Sequence, residues 1–396
     1  MLERSKEIPL VVTYTTPMPL DNCLEKVLSH LPRIEYLEFA SLSCDVGHVM
    51  DLLSSRPAPM LKEFRFWAKD GTPLLIGPVG PIFQGQAPLL RNLTLDNCNR
   101  SWSSCIFGGL RSLCITETRL PDLLSVLRCM PTLELLALES IKCDERTLFD
   151  KVPLARLKSI YLCATSLRAA VPVFAHLALP VDVKISLRLY SIKGPKTFSE
   201  LFSAIYTHPS GSGPVLRSLR ATNLNSRHMA VQFSTSRTIK DPDDDDVRLS
   251  IRFFFDLPSA RQPDIALDIW QAITQPKHRT FFSGDLEFIH IEGFTGLIRG
   301  ITSALRIQGS SDVTYPSLRV LELRDMVFHD SELNDLRDIL TSRTKHDHNL
   351  RLQDFRLTLC NNFTADQEQL FKEVAVNIDC DRWTLNDGRS SRGRLL

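Results

Sequence analysis

Apolar residues recur along this chain in one short pattern: an apolar position, two variable ones, an apolar position, one variable, and a third apolar one. The pattern appears as Ile34-Leu37-Phe39, Leu61-Phe64-Phe66, Leu90-Leu93-Leu95, Leu110-Leu113-Ile115, Leu133-Leu136-Leu138 and Leu157-Ile160-Leu162. It returns at Leu286-Ile289-Ile291, Leu318-Leu321-Leu323 and Leu352-Phe355-Leu357, and Leu216-Leu219 begins a further copy with Ala221 in third place. Alternate residues of a strand point to opposite faces, so the closing alternation predicts a short strand with its apolar side chains inward. Between the copies the period changes. Leu20, Cys23, Leu24, Val27, Leu28 and Leu31 fall on one helical face, with Pro19 before it and Pro32 ending it. Val46-Val49-Met50-Leu53, Leu123-Leu124-Leu127, Phe198-Leu201-Phe202-Ile205 and Leu333-Leu336-Ile339-Leu340 repeat that face.

Strand followed by helix, many times over, predicts an α/β fold: a leucine-rich-repeat solenoid with parallel strands on the concave face and helices outside. No single copy can bury its three anchors alone, and stacking does so at roughly 1.5–3 kcal/mol gross per side chain. Residues 1–19 read as a lead-in, 20–385 as a single solenoid, and 386–396, with Arg389, Arg392 and Arg394, as a frayed tail. The repeat loosens over 168–285. Val183-Ile185-Leu187-Leu189 and Val247-Leu249-Ile251-Phe253-Phe255 still alternate there as strands. Between them, 237–247 holds the run Asp241-Pro242-Asp243-Asp244-Asp245-Asp246, which lacks the ligand spacing of a calcium loop and reads as a solvated loop.

Composition agrees with a repeat. About 60 of the 396 residues are leucine and only 17 are glycine. Basic and acidic residues, 47 against 46, nearly cancel, which argues against a nucleic-acid or anionic-membrane coat. No stretch has the roughly 18–20 apolar residues of a spanning helix. The start, Met1 to Glu7, has no apolar region behind it, so no secretory leader is expected, and the sequons at Asn92, Asn99 and Asn362 read as coincidental. Ten scattered cysteines form no CxxC pair, which fits thiols in the cytoplasm or nucleus.

Enzymatic motifs are lacking: no dinucleotide or P-loop glycine pattern, no H-E-x-x-H, no G-x-S-x-G. Gly211-Ser212-Gly213 reads as a turn, and His346-Asp347-His348 has no third or fourth metal ligand in the sequence near it. No catalytic residue, metal or cofactor is expected. Chemistry is instead expected from the variable strand positions, which form a ladder on the concave side. The central row reads Glu38, Arg65, Thr94, Cys114, Ala137, Tyr161, then Arg220, His290, Glu322 and Arg356. The row beside it reads Ala40, Trp67, Asp96, Thr116, Glu139 and Cys163. Glu38 with Arg65, and Glu322 with Arg356, are expected as cross-strand pairs. Trp67 and Tyr161 are the expected anchors for a protein or peptide ligand. The candidate partner-binding residues are thus Glu38, Arg65, Trp67, Asp96, Tyr161, Arg220, His290, Glu322 and Arg356, on a chain expected to be monomeric.

Five segments carry a family likeness: Leu2-Glu3-Arg4-Ser5-Lys6-Glu7-Ile8-Pro9-Leu10; His30-Leu31-Pro32-Arg33-Ile34; Ala87-Pro88-Leu89-Leu90-Arg91-Asn92-Leu93-Thr94-Leu95; Trp102 ahead of Phe107 and Leu110; and Cys129-Met130-Pro131-Thr132-Leu133-Glu134-Leu135-Leu136. Together they resemble the leucine-rich-repeat region of the fungal F-box proteins expanded in mushroom-forming fungi. The resemblance implies substrate recognition for a cullin-RING ubiquitin ligase. Its Leu-Pro-x-Glu helix opening is missing from this sequence, so binding to the ligase adaptor is expected only where an F-box lies upstream. The alternative is a free-standing repeat scaffold with no ligase connection.

Overall fold

A computed structural model describes residues 8–14, 22–40, 46–67, 74–75, 81–96, 98–99, 105–143, 150–164, 166–190, 195–206, 215–225, 228–236, 246–254, 285–293, 295–307 and 313–381. Leu20, Trp102, the turn at 211–213, most of the acidic run and the tail 386–396 lie outside the described residues. The fold is mixed α/β and falls into two compact units, residues 1–165 with 172–185, and 166–171 with 186–396.

Unit 1 is a parallel ladder. Its strands are β1 (Leu10–Tyr14), β2 (Ile34–Ala40), β3 (Glu63–Trp67), β4 (Leu74–Leu75), β5 (Asn92–Leu95), β6 (Cys98–Asn99), β7 (Ser112–Thr116), β8 (Leu135–Glu139), β9 (Val152–Pro153), β10 (Ser159–Ala164) and β11 (Leu177–Ala178). The main sheet runs β1-β2-β3-β5-β7-β8-β10, and β4-β6 and β11-β9 pair separately. Helices α1 (Asn22–Leu28), α2 (Val46–Ser54) and α3 (Leu120–Leu127) connect some of these strands. A tight turn at Ile82–Gly85, with Phe83, Gln84 and Gly85 in the left-handed region, and a 3-10 turn at Cys105–Gly109 stand where others would be. Pro32 ends the first helical face early: α1 stops at Leu28, and Leu31 enters a 3-10 turn in which it is still fully buried. The chain passes between the units within α4 (Leu167–Ala175) and β12 (Lys184–Leu189).

Unit 2 contains α5 (Pro195–Tyr206), β13 (Ser218–Asn225), β14 (His228–Ser234), β15 (Val247–Phe254), β16 (Phe288–Glu292), α6 (Thr295–Leu305), β17 (Val320–Arg324), α7 (Asp330–His346), β18 (Leu352–Thr358), α8 (Ala365–Phe371) and β19 (Ala375–Cys380). Its strand order is β12-β15-β14-β13-β16-β17-β18-β19. From β13 through β16 to β19 all neighbours are parallel. The loosened middle is an antiparallel meander, β13 against β14 and β14 against β15. The alternation marks a strand over 247–254, Phe255 lying outside the described residues; its direction is what the expectation of parallel strands missed.

All thirty anchors of the ten sequence copies, counting Leu216-Leu219-Ala221, are at most 4% exposed. The helical faces complete the core: Leu24, Met50, Leu53, Leu123, Leu127, Phe198, Phe202, Leu333 and Leu336 are buried. Two backbone devices repeat with the strands. Ahead of each strand, one carbonyl accepts two amides from the next: Lys62 O from Arg91 and Asn92, Glu134 O from Lys158 and Ser159, Arg319 O from Gln353 and Asp354. After the strand comes a residue in the left-handed region: Glu117 (φ 51), Ser140 (φ 52), Gly293 (φ 78), Asp325 (φ 51) and Leu359 (φ 55). The first four donate their amides to the end of the following strand, at Glu139 O (2.9 Å), Cys163 O (3.0 Å), Arg324 O (2.9 Å) and Thr358 O (2.8 Å). The fifth donates to the Asp381 carboxylate at 2.8 Å.

Candidate protein-interaction face

Strand register decides which variable residues become neighbours. In unit 1, Thr13 lies opposite Glu38, Glu38 opposite Arg65, Arg65 opposite Thr94, Thr94 opposite Cys114, and Cys114 and Tyr161 both opposite Ala137. The expected central row is therefore continuous through this unit. In the second row Ala40 faces Trp67, and Thr116 and Cys163 both face Glu139. Asp96, one residue past β5, joins that row by accepting a hydrogen bond from the Thr116 hydroxyl.

The charges pair differently from the expectation. Arg65 binds Glu63 on its own strand at 2.6 Å and lies over the Tyr36 ring, 5.7 Å from its centroid. Glu38, the expected partner, accepts from the Tyr36 hydroxyl. That bond, then burial, raises the Tyr36 pKa. For Arg65 burial is the largest influence and acts downward, yet the Glu63 hydrogen bond and the negative charge of Glu63 and Glu38 together outweigh it and hold the guanidinium more firmly charged. Same-strand neighbours two apart share a face, so Glu63 competes on equal terms with the residue across the ladder. Trp67 is 36% exposed, and Tyr161 is half-buried. Burial, with Glu139 and Asp96 nearby, pushes the Cys114 thiol up and away from reactivity.

In unit 2 the row runs Gln232, Arg220, His290, Glu322, Arg356, Asp379. His290 sits between two carboxylates, its Nδ1 3.2 Å from Glu322 and its Nε2 3.4 Å from Glu292. Glu292 also binds Arg220 at 3.1 Å. Burial raises the Glu292 pKa, but the bonds from Arg220 and His290 prevail and hold it below the usual carboxylate range. The His290 bond does the same for Glu322. Arg356 turns to Asp354 at 3.0 Å, not to Glu322. His290 is only 7% exposed, and Ser218, Thr222, Gln232, Ser234 and Phe288 on the same strands are buried as well. The ladder is thus covered at β13, β14 and β16 and reopens at Arg324 and Arg356. Nothing in the alternation of β14 signals that burial, because Gln232 and Ser234 read as outward polar positions.

Chemically, His290 has both ring nitrogens engaged and little access to solvent, which makes it a bridge between strands instead of a base open to substrate. No group of three or more His, Cys, Asp or Glu among the described residues has the arrangement to hold a metal ion. His346, Asp347 and His348 are exposed, and Asp347 caps the turn after α7 by accepting the Asn349 amide at 2.8 Å. No helix among the described residues is long and apolar enough to cross a membrane.

A feature the sequence reading overlooked is the first variable position of each copy. Glu35, Lys62, Arg91, Arg111, Glu134, Lys158, Arg217, Glu287 and Arg319 occupy it in nine of the ten copies, all charged, and Gln353 occupies it in the tenth. Lys62 binds Glu35 at 2.8 Å, and Glu134 takes Lys158 at 2.5 Å and Arg111 at 3.9 Å. These pairs cross-link successive copies where each strand begins, and the recurring charge was the available signal. No protein-family model and no curated protein matches the chain.

Proposed function

We propose that the protein is a non-enzymatic protein-binding module, a leucine-rich-repeat solenoid that presents its outward strand residues to a protein or peptide ligand. The observation carrying this reading is the unbroken outer row from Thr13 to Tyr161, beside a second row that holds a partly exposed Trp67. Large aromatics on a rigid face supply most of the binding energy at protein interfaces, while half-buried polar residues around them supply fit. The sequence likeness to fungal F-box proteins makes substrate recognition for a cullin-RING ubiquitin ligase the leading biological setting. The free thiols Cys114, Cys129, Cys360 and Cys380 suit a reducing compartment, the cytoplasm or nucleus.

Trp67→Ala tests the face. It is expected to weaken partner capture at least fivefold while shifting the melting temperature by no more than about 2 °C. A variant that melts several degrees lower makes Trp67 a core residue and removes it from the interface. The ligase setting is tested separately, by pull-down of the adaptor subunit with the chain extended by any in-frame coding sequence preceding Met1. Failure there leaves a free-standing scaffold.

A further inference from the structure

Resting on the binding-module reading, we propose that the outer face of unit 1 takes an extended basic segment of its partner, with two Lys or Arg residues about three positions apart and an apolar residue on Trp67. The charge on this face is one-sided. Among the described outer-row residues from β1 to β10, the acidic side chains are Glu38, Glu63, Asp96 and Glu139, and Arg65 is the one cation. Arg65 is already committed to Glu63. Glu38 and Asp96 accept hydroxyl bonds from Tyr36 and Thr116, and no ion pair involves Glu38, Asp96 or Glu139 among the described residues. Three carboxylates thus face outward outside any ion pair among the described residues, and Arg65 opposite Glu38 is the one cation beside them.

The flanking cations do not cancel them. Lys62 is held by Glu35, while Arg111 and Lys158 share Glu134. Arg91 spends its Nη1 on the carbonyls of Pro88, Leu90 and Gly109. All four precede the strands, whereas Trp67, Asp96 and Glu139 lie at the strand ends. Beyond those ends, Lys142 sits 3.7 Å from Glu117 and is committed there. Unit 2 differs, because Glu292 is paired with Arg220 at 3.1 Å and Glu322 is engaged by the His290 ring at 3.2 Å.

Spacing selects the ligand's form. Parallel strands lie about 4.8 Å apart, so Asp96 and Glu139, two strands apart, are separated by about 10 Å. An extended peptide in the polyproline II form covers that distance in three residues at about 3.1 Å each and returns its side chains to the same face at every third residue. Trp67 lies one strand to the other side of Asp96, within reach of the next apolar side chain. The face already holds one guanidinium in the way proposed: Arg65 rests on the Tyr36 ring with a carboxylate at its edge.

The test is selection of a phage-displayed random dodecapeptide library on the immobilised full chain, then fluorescence anisotropy with the enriched peptides at 50 and 200 mM salt. Enrichment of Lys and Arg at a spacing of about three is expected. The double variant Asp96→Asn/Glu139→Gln, isosteric at half-buried positions, is expected to bind these peptides about tenfold more weakly and with a shallower salt dependence. Acidic or charge-free peptides whose binding still depends on Trp67 overturn the basic-partner inference and leave the binding face standing. Peptides indifferent to Trp67, Tyr161, Asp96 and Glu139, or no enrichment at all, overturn both.

Discussion

Arg343, in the last turn of α7, is fully buried with no acidic partner among the described residues. Its Nη1 donates to Thr314 O at 2.6 Å and its Nη2 to Tyr315 O at 2.9 Å, while Nε has no acceptor among the described residues. Burial pulls its pKa down to about 10, which corresponds to roughly 3 kcal/mol against the charged form. Because a guanidinium stays protonated, that figure is a desolvation cost carried by the fold. Two charge-assisted hydrogen bonds, at about 1.5–3 kcal/mol each, offset it. Arg343→Lys keeps the buried charge but cannot reach both carbonyls with a planar fork, so a loss of about 2 kcal/mol is expected. Arg343→Met frees both carbonyls yet also removes the desolvation cost, and the two effects largely cancel to a loss of about 0–3 kcal/mol. The conservative replacement is therefore expected to be no better tolerated than the apolar one. Urea unfolding followed by circular dichroism, compared at constant slope, measures the difference. If Arg343→Lys lies within about 0.5 kcal/mol of the parent while Arg343→Met costs more than about 3 kcal/mol, the charge itself is stabilising and the reasoning is refuted.

Two further outcomes follow from the same structure. Leu359 is 44% exposed with φ 55, where a side chain is strained, so Leu359→Gly is expected to stabilise by about 0.5–1 kcal/mol, and a lower urea midpoint would contradict it. Glu292 and Glu322 are held below their ordinary value of 4.5. The stability they contribute is complete above that value and is lost as pH falls through their lower folded-state values. Glu322→Gln should accordingly flatten the loss of stability as pH falls below about 4.5, and a slope equal to the parent's would remove Glu322 from acid unfolding.

The buried half of the fold was legible in the sequence because burial imposes a period. Leu61-Phe64-Phe66 can hide three side chains only as a strand, and the register that follows aligns Glu38, Arg65 and Thr94 with no further information. The pairing of the outward charges was not legible, since Arg65 has one carboxylate two residues away and another across the ladder, and the Tyr36 hydroxyl decides between them by engaging Glu38. Arg343 hid for a different reason. It continues the stripe Leu333, Leu336, Leu340 by three residues, a position where an apolar residue is the rule and an arginine reads as a helix end. The covered face at Gln232 and His290 depends on what packs over it, which alternation along β14 and β16 does not encode.

The left-handed residue after β7, β8, β16 and β17 works as a ruler. Glu117, Ser140, Gly293 and Asp325 hold the ends of these strands against the next, so an extra residue inside one of them would misplace that amide and the ladder beyond it. Length can change only between one such residue and the start of the next strand. That is where it does change: 23 residues lie from Glu117 to Ser140, against 34 from Asp325 to Leu359. Excision in whole modules is the corollary. Removing 118–140 would carry Glu117 to the position of Ser140 and offer its amide to Cys163, shortening the molecule by one rung without disturbing the remainder.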